Sequence, residues 1–252
     1  LANTGDFKPT DDTVSYEKLN SVDQYMLVKL NHFLKEMRAD FDNYDFLDAY
    51  KLLINFVNND LSAFYMNLAK DVLYIEPADS HARRSMQTVF YNILLTMVKL
   101  LTPILPHTTE EVWEYMDEPE QFAQLTEIPD ARSFANETEL LDKWEQFMEV
   151  RSHVLKGLEE ARNDKQIGKS LEAVVDLYLD ANQQKLVDSL NENVALLLGV
   201  SALHLHPFDE APVDADKYED GVAVKVSPAT GETCARCRMV KAGCMATASS
   251  SE

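Results

Sequence analysis

Two cysteines near the end of the chain have the spacing of a metal knuckle. Cys234 and Cys237 form a Cys-x2-Cys pair shortly after Gly231. Thiolates bind zinc, and a tetrahedral structural site needs four ligands, commonly two such pairs. Only Cys244 follows, so the pattern predicts half of a zinc site, with zinc possible and the site incomplete. His204 and His206 could supply ligands, but alternate histidines on one face of a strand are more often structural.

A group of basic residues lies in a window of net positive charge. Residues 151–170 carry five basic and three acidic side chains, whereas the whole chain has a net charge of −20. Guanidinium and ammonium groups bind phosphate, and Gly168 would let a backbone approach closely. The alternative is a solvated helix face whose cations pair with Glu159, Glu160 and Asp164. The candidates are Arg151, Lys156, Arg162, Lys165 and Lys169, with His153 nearby.

Arg83 and Arg84 open a predicted helix. The positive end of a helix dipole disfavours cations, so we expect each arginine to have an anionic partner. Ion pairs with Asp71, Glu76 or Asp79 are the favoured interpretation, and contact with a nucleic-acid phosphate is the alternative.

No arrangement of residues predicts bond-making chemistry. The early histidines His32, His81 and His107 show no local pairing with a serine or cysteine and an acid. The chain has seven glycines and no glycine-rich phosphate loop. We therefore predict no catalytic residue in this chain.

The elements that must position these residues are mostly helical. Apolar residues recur every three or four positions and predict helices over about 16–42, 45–73, 81–102 and 109–117. Asp45 and Ser80 are predicted N-caps, and Thr108 with Glu111 has the pattern of a capping box. Long helices with short breaks predict an up-down bundle.

A different pattern follows the bundle. Residues 137–163 predict one long amphipathic helix that carries the basic group in its second half. Alternation then predicts strands over 171–180, 200–206 and 221–226, with a helix over 183–198 that ends at Gly199. These elements predict a small α+β module.

Four segments resemble one enzyme family. The run Pro103–Trp113 is similar to that of the isoleucyl, valyl and leucyl members of the class Ia aminoacyl-tRNA synthetases. Residues 60–74, 83–89 and 155–173 are closest to the bacterial isoleucyl-tRNA synthetases. The last two segments speak against the valyl enzymes, which remain an alternative.

The resemblance implies a mainly α fold: an anticodon-binding helical bundle, then a small α+β module and a truncated zinc-knuckle-like C-terminus. Neither catalytic signature of these enzymes occurs, so aminoacylation and ATP binding are expected in a catalytic part outside this chain. Arg151, Lys156, Arg162, Lys165, Lys169, Arg83 and Arg84 become candidate tRNA contacts. The implied domains are a linker over 1–14, a bundle over 15–118, a connector over 119–136, a module over 137–226 and a tail over 227–252.

The composition restricts the possible location and partners of the protein. The sequence contains no long apolar run, no secretory leader and no initial methionine, so we expect no membrane span and a piece of a longer protein. Three cysteines without a disulfide framework fit the cytoplasm. We expect a monomer whose partner is isoleucine tRNA. The acidic net charge favours a second hypothesis, a helical scaffold that binds protein instead of RNA.

Overall fold

The computed structural model describes residues 6–116, 118–234 and 238–241. The chain divides into two compact units, Leu1–Glu137 and Thr138–Glu252. The first is helical, and the second combines helices with a four-stranded sheet. The predicted fold class, mainly α with a small α+β module, is therefore confirmed. The finer predicted domain bounds stay a prediction.

Among its described residues, the first unit contains six α-helices joined by short connections. Helices α2 and α5 are the longest of these. The elements are α1 (Pro9–Asp12), a 3₁₀ turn (Tyr16–Lys18), α2 (Ser21–Asp42), α3 (Phe46–Asn55), a π-helical segment (Phe56–Tyr65), α4 (Met66–Ile75), α5 (His81–Leu101), α6 (Pro106–Trp113) and a 3₁₀ turn (Ala123–Leu125).

The core of the first unit follows the predicted apolar stripes. Met26 and Val28 on α2 are fully buried, as is Val89 on α5. Phe33 stacks on Phe56 with ring centroids 4.4 Å apart. The long helices therefore form for the reason that the periodicity indicates, which is burial of one continuous apolar face.

The predicted second helix changes its winding in the middle. Between α3 and α4, residues Phe56–Tyr65 form a π-helix, in which each amide bonds to the carbonyl five residues earlier. Phe56, Leu61, Phe64 and Tyr65 are buried there, and the interval from Phe56 to Leu61 is five residues. That spacing fits the wider turn, and it explains why a pattern judged only against an α-helix gave one uniform helix.

The helix starts agree with the sequence at one of three predicted caps. The Ser80 hydroxyl accepts a hydrogen bond from the amide of Arg83, which confirms that cap. The predicted capping box of Thr108 and Glu111 is wrong, because α6 begins two residues earlier with Pro106 in its first turn. Proline suits that position because the first helical N–H groups have no acceptor inside the helix. Asp45 precedes α3 without a side-chain cap bond among the described residues.

The second unit begins with one long helix and continues into a mixed sheet. Strand order in the sheet is β2-β1-β4-β3, with β1 parallel to β2 and antiparallel to β4. The elements are α7 (Glu137–Asn163), a 3₁₀ turn (Ser170–Glu172), β1 (Ala173–Leu179), α8 (Ala181–Leu190), α9 (Val194–Leu198), β2 (Ala202–Pro207), a 3₁₀ turn (Phe208–Glu210), β3 (Asp216–Lys217), β4 (Val222–Pro228), β5 (Glu232–Thr233) and β6 (Val240–Lys241).

Helix α7 lies close against the sheet at Gly157. A Cβ atom at this glycine would be 3.2 Å from a methyl group of Val226 and 3.3 Å from one of Val224. Both valines lie on β4, in register with buried residues of β1. Glycine therefore allows this close approach, and it fixes how the end of α7 is held beside the sheet.

The predicted helix over 183–198 is two helices. Asn191 adopts a left-handed conformation with φ of 53° and ends α8, and the Asn193 side chain accepts from the amide of Leu196 to begin α9. Asparagine tolerates both roles, because its short polar side chain bonds to nearby backbone. Gly199 ends α9 with φ of 70°, as predicted.

Candidate nucleic-acid interface

An open cavity of about 560 Å³ lies where α7 ends. Its walls come from the last turn of α7, the loop that follows, and the chain after β4. We call it the basic groove and define it by Arg162, Lys165, Gln166, Gly168, Glu172 and Gly231. Two of the seven predicted tRNA contacts, Arg162 and Lys165, line this groove.

The backbone at the end of α7 turns sharply at Lys165. The amide of Gln166 donates to the Ala161 carbonyl at 2.9 Å, and the amide of Lys165 donates to the Arg162 carbonyl at 3.0 Å. These two bonds form a Schellman motif, in which the left-handed position is usually glycine. Lys165 occupies it with φ of 59°. A lysine is therefore held in a conformation that costs an L-residue about 1–2 kcal/mol.

The loop after Lys165 is fixed by one carboxylate. Glu172 Oε2 accepts the amide of Gly168 at 2.9 Å and that of Lys169 at 3.2 Å. A Cβ atom at Gly168 would be 3.0 Å from the same oxygen. The glycine therefore leaves room for this bond, and the groove has a defined wall instead of a freely moving loop.

Arg162 has partners of its own inside the second unit. Its guanidinium pairs with Glu159 one turn earlier on α7 and donates to the Ser170 hydroxyl at 3.3 Å. Its side chain is still 41% exposed. Arg162 therefore forms the ion pair along the helix that the sequence offered as an alternative to phosphate binding. Its guanidinium group remains accessible to a second anion. Lys165 and Lys169 are exposed.

Arg151 and Lys156 lie outside the basic groove. Arg151 is eleven residues before Arg162, about 16 Å along α7 at the rise of an α-helix. Its Nε donates to the Leu197 carbonyl at 3.4 Å, and burial lowers the pKa of the guanidinium. The Lys156 ammonium lies 5.7 Å from the ring centre of Tyr218. The structure therefore divides the predicted basic group between two places.

His153 belongs to a separate cluster on α7. Its Nε2 lies 2.9 Å from a carboxylate oxygen of Asp220, and its ring stacks on Tyr218 with centroids 3.7 Å apart. Burial raises the pKa of Tyr218, and the nearby charges of Asp216, Glu160 and Asp220 add to the effect.

Arg83 and Arg84 are held by anions in the first unit. Arg83 pairs with the Asp6 carboxylate at 3.2 Å and also donates to the Leu73 carbonyl. Arg84 lies 3.6 Å from Asp6 and 3.6 Å from Asp12. Ion pairing of both arginines is observed, with partners more than 70 residues away in sequence, and the side chain of Asp71, one of the expected partners, lies outside the described part of the structure. Local sequence offers no signal for so distant a pairing.

The cysteine knuckle is described only in part. Cys234 is buried; its amide donates to the Met239 carbonyl and its carbonyl accepts from the Arg238 amide, both at 2.9 Å. Cys237 and Cys244 fall outside the described residues. The described part supplies one thiol, which does not complete a zinc site, and nothing proposed below depends on zinc at these cysteines.

The two histidines considered as additional zinc ligands have a common partner in the second unit. His204 Nδ1 and His206 Nε2 each lie 3.0 Å from Asp176 Oδ1. Partial burial acts to raise the pKa of Asp176, but hydrogen bonds from the two histidines outweigh it and lower that pKa. This carboxylate was missed by sequence reasoning, because β1 and β2 are brought together by register and not by proximity in sequence.

Comparison with known proteins identifies the family. The family model described as the anticodon-binding domain of tRNA ligase matches residues 23–179. The chain belongs to this anticodon-binding family. The matched range includes most of the helical unit, all of α7 and the basic groove's lysine turn.

Curated relatives within the anticodon-binding family agree on one specificity. The chain is 80% identical to the isoleucine–tRNA ligase of Limosilactobacillus reuteri, 66% to that of Limosilactobacillus fermentum and 56% to that of Lactiplantibacillus plantarum, each over 241 residues. Each match covers 96% of this chain. The predicted resemblance to isoleucyl-tRNA synthetases is confirmed.

The matches cover only a part of each relative. The chain spans about a quarter of the length of each relative, 26% in all three cases.

Along the described parts of this anticodon-binding chain, none of the helices combines the length and apolar character needed to cross a bilayer.

Proposed function

We propose that this chain binds the anticodon arm of a tRNA and serves as the tRNA-binding part of an isoleucine–tRNA ligase. The observation that carries the proposal is the match to the anticodon-binding family over residues 23–179. The three relatives are isoleucine–tRNA ligases, which supports isoleucine tRNA as the specific partner.

The basic groove is the proposed phosphate contact in the second unit. Arg162 offers a planar fork and Lys165 a mobile charge, so they suit the two ways in which phosphate oxygens are bound. A lysine held in a left-handed turn supports a functional role, because backbone strain persists where the surrounding structure enforces it and is common at binding sites. The side chains would position the RNA, and this chain would make no bond itself.

The acidic composition shapes the proposed binding. A net charge of −20 repels nucleic acid at long range, so affinity must come from a few local contacts. Binding should therefore weaken with salt, and the slope of that dependence should be modest because few phosphates are neutralised. In the proposal the chain acts as a monomer in the cytoplasm, and the attachment of isoleucine with ATP occurs in the catalytic part of the ligase.

The test is a titration of the chain with isoleucine tRNA and with the same tRNA carrying a swapped anticodon, at about 50 and 200 mM salt. We expect binding that weakens with salt and with the swap. The double variant Arg162→Ala/Lys165→Ala should lower affinity for both RNAs and reduce the salt slope by about one unit for each phosphate contact that is lost.

A matched control separates local from general electrostatics. Lys185 is exposed on α8 of the same unit and does not line the basic groove. Lys185→Ala removes one positive charge and should leave affinity and slope unchanged. If Lys185→Ala weakens binding as much as the double variant does, the basic groove is not the contact. Absence of binding by a chain shown to be folded would contradict the tRNA proposal.

A second candidate function is protein binding, and one surface of the first unit favours it. Tyr44, Phe46, Leu47 and Tyr50 are 57–78% exposed around the start of α3, and we call them the aromatic surface. Large exposed apolar groups usually mark contacts with other proteins. Asp45 and Asp48 lie among them, which disfavours a phosphate backbone there. Partner binding that resists salt and is lost in Tyr50→Ser would support this function.

A further inference from the structure

One face of the sheet carries a cluster of three metal-type ligands. Strands β1 and β2 run parallel with Asp176 beside His204 and Tyr178 beside His206. Residues two apart on a strand point to the same face, so both histidines and the aspartate share one side of the sheet. The other side of β1 is the fully buried one, formed by Val175 and its neighbours.

The distances within the cluster are those of hydrogen bonds, and they place the three ligand atoms close enough to share one ion. Asp176 Oδ1 lies 3.0 Å from His204 Nδ1 and 3.0 Å from His206 Nε2, and all three ligand atoms lie within 4.8 Å of one another. Zinc binds imidazole nitrogen at about 2.0–2.1 Å and carboxylate oxygen at about 2.0–2.2 Å. Ligands around such an ion are about 3 Å apart, so small side-chain movements would admit it.

The cluster is both accessible and oriented. The side chains of His204, His206 and Asp176 are 57%, 34% and 23% exposed, so an ion can enter from solvent. The ring of His206 stacks on Tyr178, with centroids 4.9 Å apart and an angle of 24° between the planes. A ring fixed by its neighbour loses less conformational freedom when it binds a ligand.

We propose that Asp176, His204 and His206 bind a divalent transition-metal ion such as Zn²⁺ or Ni²⁺, with water in the remaining positions. Imidazole suits these ions, and two histidines with one carboxylate leave coordination sites open. Each neutral ring carries one N–H and one lone pair. Binding moves the ring proton to the other nitrogen, so the lone pair faces the metal and the two N···O hydrogen bonds are replaced by metal–ligand bonds.

This site is separate from the cysteine knuckle. The knuckle hairpin is attached to the start of β2, where the Val240 amide donates to the Ser201 hydroxyl at 2.8 Å. His204 is three residues further along that strand, about 10 Å at the rise of an extended chain. The proposal therefore does not need the thiols, and it does not depend on the proposed tRNA binding.

An ion held here would join the two strands that form one edge of the sheet. Strand β2 is the outer strand and pairs only with β1 in the described four-stranded sheet. The expected consequence is a higher melting temperature of the protein when the metal is bound, because an ion that binds only the folded state shifts the folding equilibrium.

The test uses the full chain with Cys237→Ser and Cys244→Ser, which removes two thiols and leaves the buried Cys234 in place. After treatment with a chelator, the chain is titrated with Zn²⁺ and Ni²⁺. Calorimetry measures the affinity, and nuclear magnetic resonance follows the imidazole nitrogens. We expect one ion per chain, changes in the ring signals of His204 and His206, and a higher melting temperature.

Variants decide which residues hold the ion. His206→Gln and Asp176→Asn should each weaken binding by about tenfold or more, since even groups that only orient a ligand contribute 10–100-fold. His153→Gln is the matched control, because His153 also pairs with a carboxylate but as a single histidine. Binding that persists in His206→Gln, that moves other histidine signals, or that is absent from the folded chain would overturn the proposal.

Discussion

Two groups of basic residues in this protein looked alike in sequence and are used differently. Arg83 and Arg84 begin α5, are about 20% exposed, and are paired with Asp6 and Asp12. Arg162 lies in the last turn of α7, Lys165 lies in the turn that follows it, and both line an open groove. A cation at a helix start lies against the positive end of the dipole and needs anions, whereas the negative end of the dipole itself favours a cation, so Arg162 remains 41% exposed although it also pairs with Glu159. Position on the helix therefore separates a structural cation from one available to a ligand.

The largest effect on stability should come from a substitution in the ion-paired group, Arg83 and Arg84. Arg83→Ala removes the ion pair with Asp6 and the bond to the Leu73 carbonyl. We expect the free energy of unfolding of the first unit to fall by about 2 kcal/mol, the range for hydrogen bonds to charged groups. Chemical denaturation followed by circular dichroism measures this loss. The folded variant should bind tRNA as the unmodified chain does, and a selective loss of affinity would make Arg83 an RNA contact.

A smaller effect should separate charge from backbone strain at Lys165. Glycine adopts the left-handed conformation without cost, so Lys165→Gly should be more stable than Lys165→Ala by about 1 kcal/mol. Both variants lose the same charge and should lose tRNA affinity equally. Thermal unfolding and RNA titration of the pair test this directly. Full affinity in Lys165→Gly would show that the side chain is not the contact.

The smallest effect should appear as a pH dependence of the first unit. Partial burial acts to raise the pKa of Asp6, but bonds from Gln87 and Arg83 outweigh it, so the pKa is lower than usual. A lowered pKa stabilises the fold above the unfolded value of about 3.9, and that contribution is lost as pH falls through the lower folded value.

Comparison with an uncharged variant isolates this contribution. Between pH 6 and pH 3, the melting temperature of the unmodified chain should fall more than that of Asp6→Asn. Parallel curves would show that the arginine pair does not depend on the charge of Asp6. The basic groove should not affect this comparison, because its residues lie in the second unit.

The sequence predicted those features that depend on local pattern. The helix over 137–163 matches α7, and the caps at Ser80 and Gly199 follow from local chemistry. Features that depend on distant residues were not predictable in this way. Neither the Arg83–Asp6 pair nor the Asp176 carboxylate between two histidines has any signature in neighbouring residues. The π-helical segment was missed because an apolar spacing of five was judged against an α-helical template.

That π-helical segment also determines the directions in which side chains point along the longest continuous helical segment of the first unit. Residues 46–75 form one continuous rod, but each π turn contains more residues than an α turn, so the residues after Tyr65 point in directions that an α-helix would not give. A one-residue insertion before α4 would turn every later side chain by about 100°, since an α-helix has 3.6 residues per turn, and would move the buried side chains of α4 away from the core.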